Sequence, residues 1–217
     1  MITGSPFIGL DLTSSPQKPS AYAALDANLS IIRLGLLSTD PEIVETIDKI
    51  QPGIVAIDAP LSLPRGLCCL EEGCSCGQAL PLAGRACERE LARLGIPCFF
   101  TSKRSIIKAM VYRAIALSSE LSTRGYEVIE IYPYASKVRL FGKSIPSKLT
   151  PAGLAALRAL VTGLMPNLAS EAAALSHDLC DALIAAYTAY LYARGMAEPV
   201  GDAEEGQIFI PQLQVEA

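Results

Sequence analysis

Two aspartates open the most apolar stretch of the chain, Ser176-His177-Asp178-Leu179-Cys180-Asp181-Ala182-Leu183-Ile184-Ala185-Ala186-Tyr187. From Leu179 to Leu191 almost every residue is apolar and neither Gly nor Pro interrupts, which predicts a helix buried on most sides. Residues three apart share a helix face, so Asp178 and Asp181 project side by side, with His177 on a neighbouring line. A buried carboxylate is costly unless paired, and two together repel, so a cation is their natural partner and a metal ion is one candidate. Ser176 as an N-cap and Asp178 answering the helix dipole would account for the first acid without any chemistry. Asp181, a turn deeper in the apolar run, has no such explanation.

Three more acids fall at or near the ends of apolar runs. Asp11 lies in FIGLDL (7–12), Asp58 ends GIVAID (53–58) and Glu130 lies in YEVIEIY (126–132). These runs predict strands, and in sheets flanked by helices the C-terminal strand edge is where ligands bind. Each acid alone reads as a turn or cap residue; together with the aspartate helix they give five carboxylates, Asp11, Asp58, Glu130, Asp178 and Asp181, as catalytic residues and metal ligands. That donor set suits hard divalent cations, magnesium or manganese. Two such ions about 4 Å apart hydrolyse phosphodiesters with no side-chain nucleophile. Empty, the five acids would repel, so neutralising Asp58 or Asp181 is expected to stabilise the metal-free fold. Other chemistries find no residues. His177 is the only histidine and no G-x-S-x-G is present, which removes a hydrolase triad; neither G-x-x-x-x-G-K-[ST] nor G-x-G-x-x-G occurs.

The elements that must position these acids follow from periodicity. Strands are expected at 7–12, 22–26 and 30–37, the last two joined by the turn-prone Asp26-Ala27-Asn28, giving an antiparallel meander. A helix at 41–50 presents Ile43, Ile47 and Ile50 to a sheet, with Thr39 or Asp40 as cap. The continuous apolar run 53–58 predicts a central strand covered on both faces. Residues 61–84, rich in Gly, Pro and Cys, read as an insertion. Helices at 85–94 and 105–124, the strand 126–132, a basic segment 136–148, helices at 151–164 and from the aspartate pair onward, and a last strand at 207–210 complete the chain.

A hydrophobic content of 51% over 217 residues supports a real core, read as one domain spanning 1–217. No basic leader precedes a long apolar run, and no apolar stretch reaches the length of a membrane span, so a cytoplasmic protein without a membrane partner is expected. The net charge of -4 hides an asymmetry: between Thr101 and Lys148 nine Lys and Arg face three acids. Of the seven cysteines, Cys68, Cys69, Cys74, Cys76 and Cys87 fall close together. Zinc held by the Cys-x4-Cys-x-Cys-x10-Cys run from Cys69, disulfides, or reduced thiols packed as small hydrophobes are the three readings. Only two asparagines are present, as thermal selection favours, and intracellular hyperthermophile proteins do use disulfides.

The motifs Gly9-Leu10-Asp11-Leu12-Thr13, Ala56-Ile57-Asp58-Ala59-Pro60-Leu61-Ser62-Leu63-Pro64, Arg85-x-Cys87-Glu88-Arg89-Glu90-Leu91, Gly95-Ile96, Glu130-Ile131-Tyr132-Pro133 and His177-Asp178-x-x-Asp181-Ala182 resemble, across nearly the whole chain, the family catalogued as domain of unknown function 429. Its members are described as predicted nucleases of RNase H fold; more distantly the acids resemble those of RuvC-type resolvases. The resemblance implies an RNase H-like α/β fold with a mixed five-stranded sheet, its first three strands antiparallel and helices on both faces; the Cys68–Cys76 segment of the Cys-rich insertion at 61–84 is not among the matching motifs. It implies a divalent-metal-dependent nuclease hydrolysing phosphodiester bonds of nucleic acid, with Asp11, Asp58, Asp178 or Asp181 as ligands and Glu130 in addition. Lys137, Arg139, Lys148 and Arg85 are the substrate-binding candidates. A phosphotransferase or nucleotide hydrolase of the same core, and a non-catalytic nucleic-acid-binding or scaffold protein, are the alternatives, with a homodimer left open.

Overall fold

The structure is a computed structural model that describes residues 4–15, 18–77, 83–144, 146 and 150–213. The chain opens with the meander β1 (Phe7–Asp11), β2 (Ser20–Leu25) and β3 (Ile31–Leu37). Then come α1 (Asp40–Ile50), β4 (Ile54–Asp58), α2 (Ala86–Arg93), α3 (Lys108–Thr123) and β5 (Glu127–Ile131). It ends with α4 (Pro133–Phe141), α5 (Pro151–Leu164), α6 (His177–Ala193), β6 (Ala197–Asp202) and β7 (Gly206–Pro211). All strands join one mixed sheet in the order β3-β2-β1-β4-β5-β7-β6. β1, β4, β5 and β7 run parallel in its middle, and antiparallel pairs flank them.

Apolar residues on both faces of the central strands require cover on both sides. Ile8, Leu10, Val55 and Ile57 pack beneath Ile43 and Ile47 of α1 and Leu117 and Leu121 of α3. Phe7, Ile54, Ala56 and Ile131 face Ala185 and Ala189 of α6. Ala21, Ala23 and Leu25 of β2 extend that second layer beneath Leu157 and Val161 of α5. The expected caps are in place: Thr39 accepts from the Glu42 amide and Ser176 from the Leu179 amide, each with non-helical backbone.

One expectation needs correction. The sheet has seven strands, not five, because the expected last strand, observed as β7, closes a hairpin with β6. The β6 sequence AEPVGD carries Pro, Gly and two acids, a composition poor in strand formers, so only its pairing with β7 makes it a strand. The basic segment 136–148, for which no element was expected, begins within the helix α4, and Pro133 stands in the first turn of that helix, where a missing N–H costs nothing. Of residues 61–84, expected as an insertion, 78–82 lie outside the described residues, and the first part of the segment is tied to the sheet edge. The Leu61 amide donates to Glu130, the Arg65 amide to Glu205, and Leu70 is fully buried.

α6 crosses β1 at Gly9, where no side chain intervenes: a Cβ there would lie 2.2 Å from both the Ala182 carbonyl oxygen and the Ala186 amide nitrogen. Backbone atoms cannot turn aside as a flexible side chain does. Gly9→Ala is therefore expected to cost about 3 kcal/mol, the upper part of the range for overpacking. Gly163→Ala in the last turn of α5, where nothing lies within 4 Å, is expected to gain about 0.5–1 kcal/mol from reduced unfolded-state entropy. Urea unfolding of the two variants against wild type checks both signs.

Candidate active site

Asp11 and Asp58 are direct partners across the parallel β1–β4 ladder, as are Gly9 and Ala56. Successive side chains alternate faces, so both aspartates stand on the face that α6 covers, at the C-terminal edge of their strands. α6 adds Asp181, 2% exposed. Its carboxylate accepts from Lys137 Nζ at 2.8 Å, and both side chains are buried. Lys137 comes from α4, so four elements converge. Asp11, Asp58, Asp181 and Lys137 line one cleft of ≈ 680 Å³, with Phe99 and Tyr132 among the other walls. Burial first, and then the negative charges of Asp58 and others including Asp181, push the Tyr132 phenol up, keeping it neutral.

The remaining acids lie elsewhere. Glu130 pairs with Ile57, one residue out of step with Asp58, so it points to the opposite face of the sheet. There it meets Arg85, 1% exposed, whose guanidinium donates to both Glu130 oxygens at 2.6 and 2.5 Å. Arg85 also donates from Nε to Glu88 at 2.9 Å and to the Ser62 hydroxyl at 3.1 Å. The Leu61 amide adds a further bond to Glu130, while Glu88 accepts from the amide and hydroxyl of Thr101. Arg85 is thus consumed in the interior, with no face left for a substrate. Asp178 stands exposed at the start of α6, its carboxylate 3.2 Å from His177 Nδ1, and does not line the cleft. Arg139 reaches away to Glu198 of β6 at 2.6 Å, and Lys148 lies outside the described residues.

A divalent ion can be tested against this geometry. Asp11 and Asp58 fit, as hard oxygen donors on neighbouring strands beside an open cleft, with Asp181 across from them. Glu130 does not fit, since its oxygens are committed to Arg85 and the Leu61 amide. Among the described residues, the one group of three or more candidate ligands within 4.8 Å of one another is made of cysteines, not carboxylates. The expected repulsion between empty acids is also relieved at Asp181, where Lys137 supplies a full positive charge; Asp181→Asn would strand that buried ammonium instead of relaxing the fold.

Sequence reasoning did not pick out Tyr132, Phe99, Glu88, Thr101 or Ser62 as site or supporting residues. Arg85 and Glu88 at i, i+3 on a helix start were visible as a pair; the second carboxylate that Arg85 holds, Glu130, 45 residues on, was not. Burial pushes the Glu130 carboxyl up and the Arg85 guanidinium opposes it. With Arg85 removed, burial and the Glu88 charge push the carboxyl up against the Leu61 amide alone, so the folded chain holds the extra proton between the unfolded and folded pKa, and stability falls as pH rises through that window. Arg85→Met is expected to lose about 3–5 kcal/mol at pH 7 and to recover part of it at pH 5. Melting curves at the two pH values check this; an equal deficit at both would refute it.

A family model described as Protein of unknown function (DUF429) matches residues 9–206. Among solved structures the chain is similar to the Thermus thermophilus RuvC structure, with 12% sequence identity, 88% of this chain and 96% of that chain covered, and a TM-score of 0.48. No curated protein matches the sequence.

Proposed function

From the premise that this chain belongs to the family described as Protein of unknown function (DUF429), we propose that it is a divalent-metal-dependent nuclease whose site is the Asp11, Asp58, Asp181 and Lys137 cleft. The observation that carries the reading is the in-register pair Asp11 and Asp58 on the face where α6 brings Asp181. Asp11 and Asp58 would hold one magnesium or manganese ion, which when bound polarises a phosphoryl oxygen and supplies an activated water. Lys137 places a fixed ammonium on the other side of the same cleft. Asp181 orients it, and burial makes the pair stronger than it would be in water. In this reading a lysine stands where a second ion would otherwise balance the charge developing on a transferred phosphate. Lys137 is too buried to attract substrate from a distance; it acts on a phosphate already in the cleft. Phe99, 66% exposed, and Tyr134, 36% exposed, offer aromatic faces at the cleft on which bases can stack, a contact that suits single-stranded or unpaired nucleic acid. Asp178, Arg139 and Lys148 remain candidates for outer contacts, and Arg85 and Glu130 for support of the cleft wall.

Labelled single-stranded, duplex and branched DNA and RNA, incubated with manganese and with chelator, test the reading. Wild type is expected to cleave at least one class only with metal. Asp58→Asn is expected to lose at least about 100-fold, the scale seen when a group stabilising transition-state charge is removed, while Asp178→Asn stays within a few-fold. Manganese at about 100 times its Kd should raise stability by roughly 2.7 kcal/mol, read as a higher Tm. Lys137→Met should melt below wild type in chelator. Nucleoside triphosphate turnover in place of cleavage would favour the phosphotransferase alternative, and metal-indifferent binding without cleavage the non-catalytic one. Cleavage unchanged in Asp58→Asn would end the proposal.

A further inference from the structure

A second cluster of ligand-type side chains stands apart from the carboxylate cleft. The sulfur atoms of Cys68, Cys69, Cys74 and Cys76 all lie within 4.8 Å of one another. The expectation from spacing paired Cys69, Cys74 and Cys76 with Cys87; in the structure Cys87 is buried in α2 among Leu91 and Ile208, and Cys68 takes the fourth place. None of the four is disulfide-bonded. The Cys68 and Cys74 sulfurs are 3.7 Å apart, far beyond the bond length of about 2.05 Å for a disulfide. A tetrahedron with metal–sulfur distances of about 2.3 Å has edges of about 3.8 Å, so that separation is the edge of a tetrathiolate zinc site.

Packing does not explain the cluster. Cys68 is exposed and the other three are only partly covered, whereas thiols used as small hydrophobes sit inside, as Cys87 and Cys180 do. The loop is held for a purpose other than burying sulfur. Leu70 anchors it in the interior, its amide donating to the Tyr112 hydroxyl at 2.5 Å. Lys103 Nζ donates to the Cys74 carbonyl, and Lys108 lies 3.6 Å from Glu72. Two ammonium groups therefore flank the position where zinc with four thiolates would leave a net charge of about −2.

We propose that Cys68, Cys69, Cys74 and Cys76 form a structural zinc site with no open coordination position. It fixes the loop after β4 against the start of α3, whose Ile107 and Met110 line the cleft. Soft sulfur ligands select zinc over magnesium, so this ion and the ion of the carboxylate cleft do not compete. The inference stands independently of the nuclease reading.

The full chain, purified under reducing conditions without added metal, is expected to carry one equivalent of zinc by elemental analysis, released stoichiometrically by an organomercurial. Cys74→Ser/Cys76→Ser should lose at least nine-tenths of it, and Cys87→Ser should keep it. Because the double variant can fail to fold, wild-type protein reconstituted with cobalt gives a second reading. It should show sulfur-to-cobalt charge transfer and the intense visible bands of a tetrahedral tetrathiolate. Absence of zinc from both the purified and the zinc-reconstituted protein would overturn the site. So would iron in its place, or an oxidised Cys68–Cys74 pair that persists after reduction and zinc addition.

Discussion

The pleat of three parallel strands decides which acids meet. In β1, β4 and β5 the rungs run Gly9–Ala56–Ile129 and Leu10–Ile57–Glu130. Every second rung faces α6, and those between face α1 and α3. Asp11 and Asp58 stand on one rung, and Glu130, one step earlier, belongs to the other side. A shift of one residue in either ladder would exchange these faces for whole strands, setting each side chain against the wrong helix layer and undoing the packing of both cores. The separation of the carboxylates is therefore enforced by the core and not by the acids themselves.

Three of the buried acids, Glu88, Glu130 and Asp181, are paired with two cations. Glu130 and Glu88 share Arg85, whose planar donors reach both, and Asp181 receives Lys137, a point charge on a flexible stem. The difference in cation suits the difference in place. Arg85 sits in a dry interior with its donors spent on fixed partners, which suits a permanent brace. Lys137 lines the cleft, where the bond to Asp181 holds its ammonium in place.

Much of this was legible in the sequence because the signals were local. The strands around Asp11 and Asp58, the caps Thr39 and Ser176, and the apolar aspartate helix each announce themselves within a dozen residues. Which acids converge was not, since strand register is a property of pairs of segments. Asp178 and Asp181 are neighbours on one helix face by spacing, yet one, in the first turn, is exposed and the other, a turn deeper, is buried against Lys137 of α4. β6 was hidden by its composition, and α4 by a proline that reads equally as a stop and as a first turn. The cysteine set differed by one member because adjacent Cys68 and Cys69 both turn inward, which spacing rules for separated ligand pairs do not anticipate.

The ties between the loop after β4 and the sheet edge span long stretches of chain. The amides of Leu61 and Arg65 wait for carboxylates supplied 69 and 140 residues later, and the Ala86 amide for one 119 residues later. Contacts of such separation form late, after the cost of closing the intervening chain has been met. During synthesis the cysteine loop leaves the ribosome well before β5 and the β6–β7 hairpin exist to anchor it. For that interval its sulfurs face the solvent of the cell with neither Glu130 nor Glu205 to shape them. The loop must either take up an ion at once, as its own small folding unit, or wait unprotected until the last hairpin arrives.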